Sequence, residues 1–312
     1  MYSMLYECPD TGGRVELNLA FSDDGIHWTK HGPAPILDWR MAYSSDTLFL
    51  NGKYHIWYSK FETAIEPYGW QIKYVQSSDM INYDYDTLAI VMVTDQDWES
   101  RVLSPTVLLR DGLFHMWYMA DHSIGYATSP DGLVWTKYPG LVLSGYGAPG
   151  VIYDKGIYKM FASRYPYRAI DLLESPDGIN WINMGEVLAG TPGTWDEEGV
   201  TSPDILIIGG IYYMWYGGGV AYWPGNWKIG LATSMDGINW VKQPENPLLV
   251  PELPKVSCGV PDVVYRSAVS SLPSKVDGLA AENITNSSFK LLWNENPSME
   301  EVTSHRVYLT KV

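Results

Sequence analysis

The chain has 312 residues, 46% hydrophobic and 18% charged, enough for one large core or two modest ones. A formal net charge of -15 argues against nucleic acid or an anionic membrane surface as a partner. Neither an apolar run of about eighteen residues nor a signal-peptide pattern is visible, so membrane insertion is not expected. Tyrosine (23) and tryptophan (14) far exceed phenylalanine (6), which is typical of β structure and of surfaces that stack on sugar rings.

In chain order, the first predicted element is a strand at Met1–Tyr6, the second half of a hairpin whose first half is missing. Complete hairpins follow, each an apolar run, a glycine-containing turn and an alternating aromatic run: Ser44–Tyr58, Ser104–Tyr118, Ala148–Ala162 and Ser202–Tyr216. The missing strand reappears late in the chain as Gly259–Tyr265. Pairing of the two ends in one sheet would close a ring and remove its exposed edges.

A turn of the form Ser-x-Asp-Gly-x-x-Trp marks the repeat after each hairpin. It occurs at Ser22–Trp28, Ser129–Trp135, Ser175–Trp181 and Ser234–Trp240, with a degenerate copy at Ser78–Tyr83. The closing aromatic residues recur at the length of one propeller blade. No helical period separates the strands, so the predicted class is all-β: a five-bladed β-propeller over residues 1–270, closed by its N- and C-terminal strands.

The only two cysteines fall on the predicted closing strands. Aligning the split hairpin with Ser202–Tyr216 places Cys8 and Cys258 opposite each other to within about one residue. They could form a disulfide or remain two buried thiols. A disulfide would indicate an oxidising compartment, and with it an extracellular, cell-surface or virion-surface location.

Residues 271–312 form a separate predicted segment, a linker followed by short strands. The order of proline, Val276–Leu279 and Phe289–Trp293 resembles the opening strands of a fibronectin type III module. About forty residues make only half such a sandwich, so we expect the chain to be part of a longer protein.

The hairpins and the Ile-Gly-x-Ala-Thr-Ser-x-Asp-Gly-x-x-Trp units together resemble the five-bladed propellers of glycoside hydrolases, of the family 43, 32 and 117 types. The resemblance covers about 270 residues. It implies a pocket on the propeller axis with two Asp and one Glu near the starts of the inner strands, one Asp directly before the hairpin proline. Here the residue at that place is never acidic: Ser44, Ser104, Ala148, Ser202 and Val260.

The residue after the proline position is acidic in three neighbouring blades, at Asp204, Asp262 and Asp46. Residues two apart on a strand share a face, so these carboxylates are predicted to point toward the axis. Carboxylates held together raise one another's pKa, which suits an acid and base pair. Alternatively, each Asp accepts backbone N–H bonds at the top of its own blade.

Loops at the same end supply further candidates. Glu99 and Glu198 are candidate catalytic acids, and Arg40 and Arg101 candidate ligands for a substrate hydroxyl or carboxylate. The competing interpretation is that these loop charges balance one another at the surface. Asp121, His122 and Arg164 lie just past the second strands and are candidate binding residues.

Aromatic insertions between the second and third strands are predicted to stack on sugar rings, or else to form a lid or a subunit contact. They supply the candidates Trp70, Tyr167, Trp223 and Trp227.

Two functions remain open. One is a glycosidase that uses the carboxylates above, whose separation would set the stereochemical outcome. The other is a non-catalytic glycan-binding module, as in cell-surface adhesion or a phage tail. In both, the partner is an oligo- or polysaccharide. No cofactor is expected, although calcium or sodium on the axis is possible.

Overall fold

The computed structural model describes residues 1–11, 15–32, 42–63, 69–219, 226–253, 255–266, 280–282 and 290–292. The secondary structure within these ranges is all β-strand, as the sequence predicts. The ranges contain no helix with the length and apolar character needed to cross a membrane. Arg40, Trp223 and most of the predicted fibronectin-like segment lie outside the described residues.

The strands form five blades in chain order. The first blade contributes β1 (Tyr2–Glu7), β2 (Leu17–Ser22) and β3 (Thr29–Lys30). The second contributes β4 (Ala42–Leu50), β5 (Lys53–Glu62), β6 (Gly69–Ser77) and β7 (Tyr83–Val93). The third contributes β8 (Leu103–Arg110), β9 (Leu113–Ala120), β10 (Ser123–Ser129), β11 (Thr136–Lys137) and β12 (Leu143–Ser144).

The fourth blade contributes β13 (Tyr146–Asp154), β14 (Ile157–Arg164), β15 (Ala169–Ser175) and β16 (Ile182–Ala189). The fifth contributes β17 (Val200–Ile208), β18 (Ile211–Gly218), β19 (Lys228–Ser234) and β20 (Trp240–Lys242), after which β21 (Gly259–Tyr265) returns to the first blade. The propeller is one compact unit, Met1–Tyr265. In the second unit, Arg266–Val312, β22 (Ala280–Glu282) pairs antiparallel with β23 (Lys290–Leu292).

The first blade is assembled from both ends of the propeller. β1 pairs antiparallel with β2 on one side and with β21 on the other, with Tyr2 opposite Tyr265 and Leu5 opposite Asp262. All six residues of β1 are buried, because this strand is central in its sheet. The predicted closure of the ring is therefore confirmed.

A disulfide joins Cys8 to Cys258 across this closure, with Cα atoms 4.5 Å apart. Cys8 directly follows β1 and Cys258 directly precedes β21. The sequence separation of 250 residues puts nearly the whole propeller inside one covalent loop.

The Ser-x-Asp-Gly turns are closed by their own side chains. In the last copy, Ser234 Oγ accepts a hydrogen bond from the Gly237 N–H at 2.9 Å, and Asp236 Oδ1 accepts one from the Asn239 N–H at 2.8 Å. The Trp240 indole N–H donates to the Gly237 carbonyl at 3.0 Å. The glycine has a φ of +77°, which few other residues adopt without strain.

The degenerate copy begins one residue earlier than the sequence analysis places it. Ser77, not Ser78, accepts the turn N–H, that of Met80, at 2.9 Å. Met80 replaces the turn glycine and has a φ of +66°. Tyr83 replaces the tryptophan, and its hydroxyl donates to the Met80 carbonyl at 3.0 Å.

Buried indoles join three of these turns to the preceding blade. Trp57 on β5 donates its indole N–H to the Gly132 carbonyl of the next blade at 2.8 Å. Trp117 on β9 does the same with Gly178 at 2.7 Å. Each indole is completely buried, so its hydrogen bond forms away from competing water. The peripheral turns thus help to hold neighbouring blades together.

We predict that Cys8→Ser lowers the free energy of unfolding by about 2–4 kcal/mol, because the unfolded chain regains the entropy of a long open loop. Urea unfolding with and without a reducing agent measures this, and reduction should destabilise the wild type but leave the variant unchanged. Free thiols in the unfolded, unreduced wild-type protein would contradict it.

Gly178 and Gly52 make a matched pair of turn substitutions, with φ values of +78° and +80°. A Cβ at Gly178 would lie 2.8 Å from Trp117 Cζ2, whereas one at Gly52 meets nothing within 4 Å. We predict that Gly52→Ala costs about 1 kcal/mol, from backbone strain alone. Gly178→Ala should cost about 3 kcal/mol, because the indole must also move. Equal urea midpoints for the two variants would contradict the role given to the indole.

Candidate functional site

The five inner strands β4, β8, β13, β17 and β21 each contain a bulge near the start. In four of them the residue before the proline has a positive φ between +45° and +52°: Ser104, Ala148, Ser202 and Val260. Such non-glycine outliers are costly and persist only where the surrounding structure holds them. The bulges also interrupt the simple two-residue alternation that the sequence analysis assumed.

These residues, together with Ser44, surround a small cavity on the propeller axis. We call the end of the propeller where the inner strands begin the upper end. The cavity measures about 30 Å³, room for about two water molecules. Asp46 and Asp204 line its wall, whereas Asp262 is 3% exposed and is not part of the lining. A cavity of this size is smaller than a sugar ring.

The predicted carboxylates connect neighbouring blades. Asp204 Oδ2 accepts a hydrogen bond from the Val263 N–H of the next blade at 2.6 Å. Asp46 Oδ2 accepts one from the Val107 N–H, also of the next blade, at 2.9 Å. These donors belong to the adjacent inner strand, and Asp204 also accepts a backbone hydrogen bond from Ile205 of its own strand.

The remaining blades complete this ring of contacts. Asp262 Oδ2 accepts from the hydroxyls of Ser45 and Thr47, each at 2.7 Å. In the third blade the equivalent residue is Thr106, whose hydroxyl accepts from the Val151 N–H at 3.3 Å. In the fourth it is Gly150, where an added Cβ would lie 2.4 Å from the Pro203 carbonyl oxygen of the next blade. The position thus provides contact between blades in all five repeats, acidic or not.

A second ring of contacts lies closer to the upper end and includes a carboxylate that the sequence analysis missed. Glu7, at the end of β1, accepts from the Ser44 N–H at 2.6 Å. Ser59 in the second blade accepts from the Ser104 N–H at 2.9 Å. An alignment of β1 with the second strands of the other blades would have revealed Glu7. The aligned residues there are uncharged: Ser59, Met119, Ser163 and Gly217.

Burial and mutual repulsion raise the pKa values of these acids. Burial raises the pKa of Asp204 to about 8, with a further contribution from the charge of Asp262. Burial likewise raises the pKa of Glu7 to about 7. The pKa of Asp46 is raised by burial and by the charges of Asp262 and Asp204. The charges of the three Asp carboxylates thus act on one another; their use in catalysis remains a prediction.

We predict that Asp204→Asn raises the melting temperature at pH 8.5 but not at pH 4. The native state holds the Asp204 proton up to about pH 8, whereas the unfolded state loses it near pH 4. The contribution of Asp204 to the free energy of unfolding is therefore greatest at low pH, where both states hold the proton. It declines as the pH rises from about 4 to about 8, because the unfolded state loses the proton first. Asparagine keeps an acceptor for the Val263 N–H without the charge. If the melting temperatures of variant and wild type differ by the same amount at both pH values, the raised pKa of Asp204 is contradicted.

The two predicted loop acids are in different surroundings. Glu99 is buried, with Oε2 2.7 Å from Lys137 Nζ and Oε1 accepting from the Tyr118 hydroxyl at 2.6 Å. Asp196, in the corresponding loop of the fourth blade, has the same kind of partner, Lys242, at 2.6 Å. Glu99 thus belongs to a repeated ion pair that holds neighbouring blades. Glu198 is exposed.

Several predicted binding residues do converge at the upper end, between the third and fourth blades. Arg101 Nε lies 2.7 Å from Asp121 Oδ1, and His122 Nδ1 lies 2.8 Å from the Tyr167 hydroxyl. Arg164 lies on the fourth blade, with Nη2 2.6 Å from Glu186 Oε2.

The other aromatic candidates pack within their own blades. Trp70 contacts the rings of Tyr43 and Phe61, with centroids 4.8 and 5.1 Å away. Trp227 follows the fifth blade's insertion, and its ring would lie 3.6 Å from a Cβ placed on Gly217. Both remain partly exposed.

In the part of the chain that the structure describes, no three His, Cys, Asp or Glu side chains are grouped so as to hold a metal ion.

Comparison with known sequences gives partial matches. No family model matches the chain. An uncharacterized protein of Mycobacterium tuberculosis is 28% identical over 155 residues, which is 43% of this chain and 52% of that protein. A 1,2-beta-oligomannan phosphorylase of Thermoanaerobacter is 29% identical over 107 residues, 30% of this chain and 34% of that one. The chain therefore spans about half or less of these relatives.

Comparison with solved structures shows the fold. A glycosyl hydrolase from Bacteroides ovatus superimposes with a TM-score of 0.56 at 16% identity, over 68% of this chain and 72% of that one. An endo-1,4-beta-xylanase from Bacteroides thetaiotaomicron gives 0.56 at 19% identity, over 68% and 74%. An N-acetylgalactosamine deacetylase from F. plautii, solved with blood group B trisaccharide, gives 0.54 at 17% identity, over 72% and 83%.

The chain is thus a five-bladed β-propeller whose structural neighbours include glycoside hydrolases. A disulfide closes its first blade, and its axial cavity is narrow.

Proposed function

We propose that this protein is a carbohydrate-active propeller that binds an oligo- or polysaccharide at the upper end of its axis. The observation that supports this most is the set of groups at that end. Ser44, Ser104 and Ser202 line the axial cavity, and the Arg101–Asp121 pair and the rings of Tyr165 and Tyr167 lie at the same end of the propeller. Hydroxyls, paired charges and flat rings are the groups that recognise sugars.

Glycoside hydrolysis is the second candidate function, favoured by a specific observation. Glu7 and Asp204 are buried near the axis with pKa values of about 7 and 8, the range that suits a general acid at neutral pH. Their hydrogen bonds to the adjacent blade also give both carboxylates a structural role. Glycan binding is therefore the main proposal, and hydrolysis would be an additional activity of the same end.

The test combines binding and turnover. Calorimetry with xylohexaose, a 1,2-β-linked mannan oligosaccharide and blood group B trisaccharide measures binding, and a panel of aryl glycosides measures turnover. We expect at least one sugar to bind, and Ser104→Tyr, which fills the cavity mouth, to abolish that binding. Tyr85→Ala, on the outer strand of the second blade, is the control and should bind normally.

The turnover arm decides between the two candidates. A hydrolase should lose at least about 100-fold of its kcat in Glu7→Gln or Asp204→Asn, since each removes a proton donor but keeps an acceptor. Binding without turnover of any substrate would identify a recognition module. If no sugar in the panel binds, the proposed function is wrong.

A further inference from the structure

The insertion at residues 165–167 brings three rings together at the upper end. Tyr165 and Tyr167 connect β14 to β15, and His122 lies in the turn between β9 and β10 of the third blade. The His122 and Tyr165 ring centroids are 4.1 Å apart, and those of Tyr165 and Tyr167 are 5.7 Å apart. Tyr165 is 53% exposed. We call Asp121, His122, Tyr165 and Tyr167 the rim platform.

Hydrogen bonds hold the rim platform in one arrangement. The Tyr167 hydroxyl lies 2.8 Å from His122 Nδ1 and donates to the Asp121 carbonyl at 3.3 Å. The Tyr165 N–H donates to the Gly145 carbonyl at 2.9 Å. Tyr167 has a φ of +68°, a strained value for a non-glycine residue that such contacts must maintain. A ring that is already ordered loses little entropy when a ligand binds to it.

The rim platform lies next to the axial cavity. A Cβ added to Gly147 would lie 3.0 Å from the Tyr167 hydroxyl oxygen, so the absence of a side chain at Gly147 leaves space for this hydroxyl. The next residue, Ala148, lines the cavity. A single residue, Gly147, therefore links the Tyr167 hydroxyl to the cavity wall.

Polar groups lie beside the Tyr167 end of the rim platform. Arg101 and Asp121 form an ion pair at 2.7 Å while their side chains remain 40% and 36% exposed. Ser100 donates its hydroxyl to the second oxygen of Asp121. A hydrogen-bond donor and an acceptor can bind the hydroxyl groups at the edge of a pyranose, and an aromatic ring can stack on its face.

Ion pairs lie around the rim platform. Arg101 pairs with Asp121, and Arg164 pairs with Asp171 and Glu186. The chain as a whole carries a formal charge of -15, which repels polyanions. Local ion pairs and an acidic chain favour an uncharged sugar.

We propose that the rim platform is an outer subsite for a neutral hexose or pentose unit of a glycan chain. One sugar ring stacks on Tyr165 and bonds to Arg101 and Asp121, while another unit of the same chain occupies the cavity mouth. This inference rests on the proposed function and deepens it. It predicts that the ligand is a chain of several sugars, because one surface serves two positions.

The experiment measures how affinity depends on chain length. Calorimetry compares xylobiose with xylohexaose, and 1,2-β-linked mannobiose with the corresponding hexasaccharide, on wild type, Tyr165→Ala, Tyr165→Trp and Tyr85→Ala. Tyr85 is the matched control, since it is 55% exposed but lies on β7. Hexagalacturonate tests the preference for neutral chains.

We expect the wild type to bind a neutral hexasaccharide more tightly than the disaccharide. Tyr165→Ala should weaken hexasaccharide binding roughly tenfold and leave the disaccharide unchanged, whereas Tyr165→Trp and Tyr85→Ala should retain wild-type affinity. Equal hexasaccharide affinity of wild type and Tyr165→Ala would overturn the subsite while leaving the proposed function intact. Tighter binding of hexagalacturonate would overturn the neutral class. Binding of no sugar at all would overturn both proposals.

Discussion

The ring depends on one repeated hydrogen bond, in which an N–H of an inner strand is accepted by a side-chain oxygen of the preceding blade. Asp204 and Asp46 supply that oxygen as carboxylates, and Thr106 supplies it as a hydroxyl. Buried backbone donors without an acceptor are costly, so these three oxygens stabilise the junctions between their blades and the next. Carboxylates that would otherwise be assigned to chemistry are therefore also part of the framework.

The five blades were predictable because the turn that marks each repeat is held by hydrogen bonds within seven consecutive residues. The Ser-x-Asp-Gly-x-x-Trp turn closes on itself, so its signature is visible in a single copy. The facing of Cys8 and Cys258 was predictable by alignment with the fifth blade, where a tight turn at Gly209 and Gly210 fixes the pairing of β17 with β18. Local rules thus gave the architecture and the ring closure.

The candidate site was less predictable, because its contacts are formed between blades. Glu7 accepts from Ser44, 37 residues away, and only the closed ring brings the two together. Glu99 carries a charge in a loop, which sequence reasoning associates with the pocket, but Lys137 on the next blade binds it in the interior. The positive φ values before the prolines were also unforeseen, since a residue preceding proline ordinarily favours an extended conformation.

The bond between Cys8 and Cys258 has a mechanical consequence. A protease that cuts one loop between these two residues produces two peptides. The disulfide keeps them in one molecule, and together they still make up the complete ring. Tension applied at Met1 and Tyr265 opens the β1–β21 ladder from its Tyr2–Tyr265 end, and the disulfide at the other end stops the opening before it reaches the remaining blades. The architecture therefore tolerates a nick or a pull that would unravel an open array of the same blades.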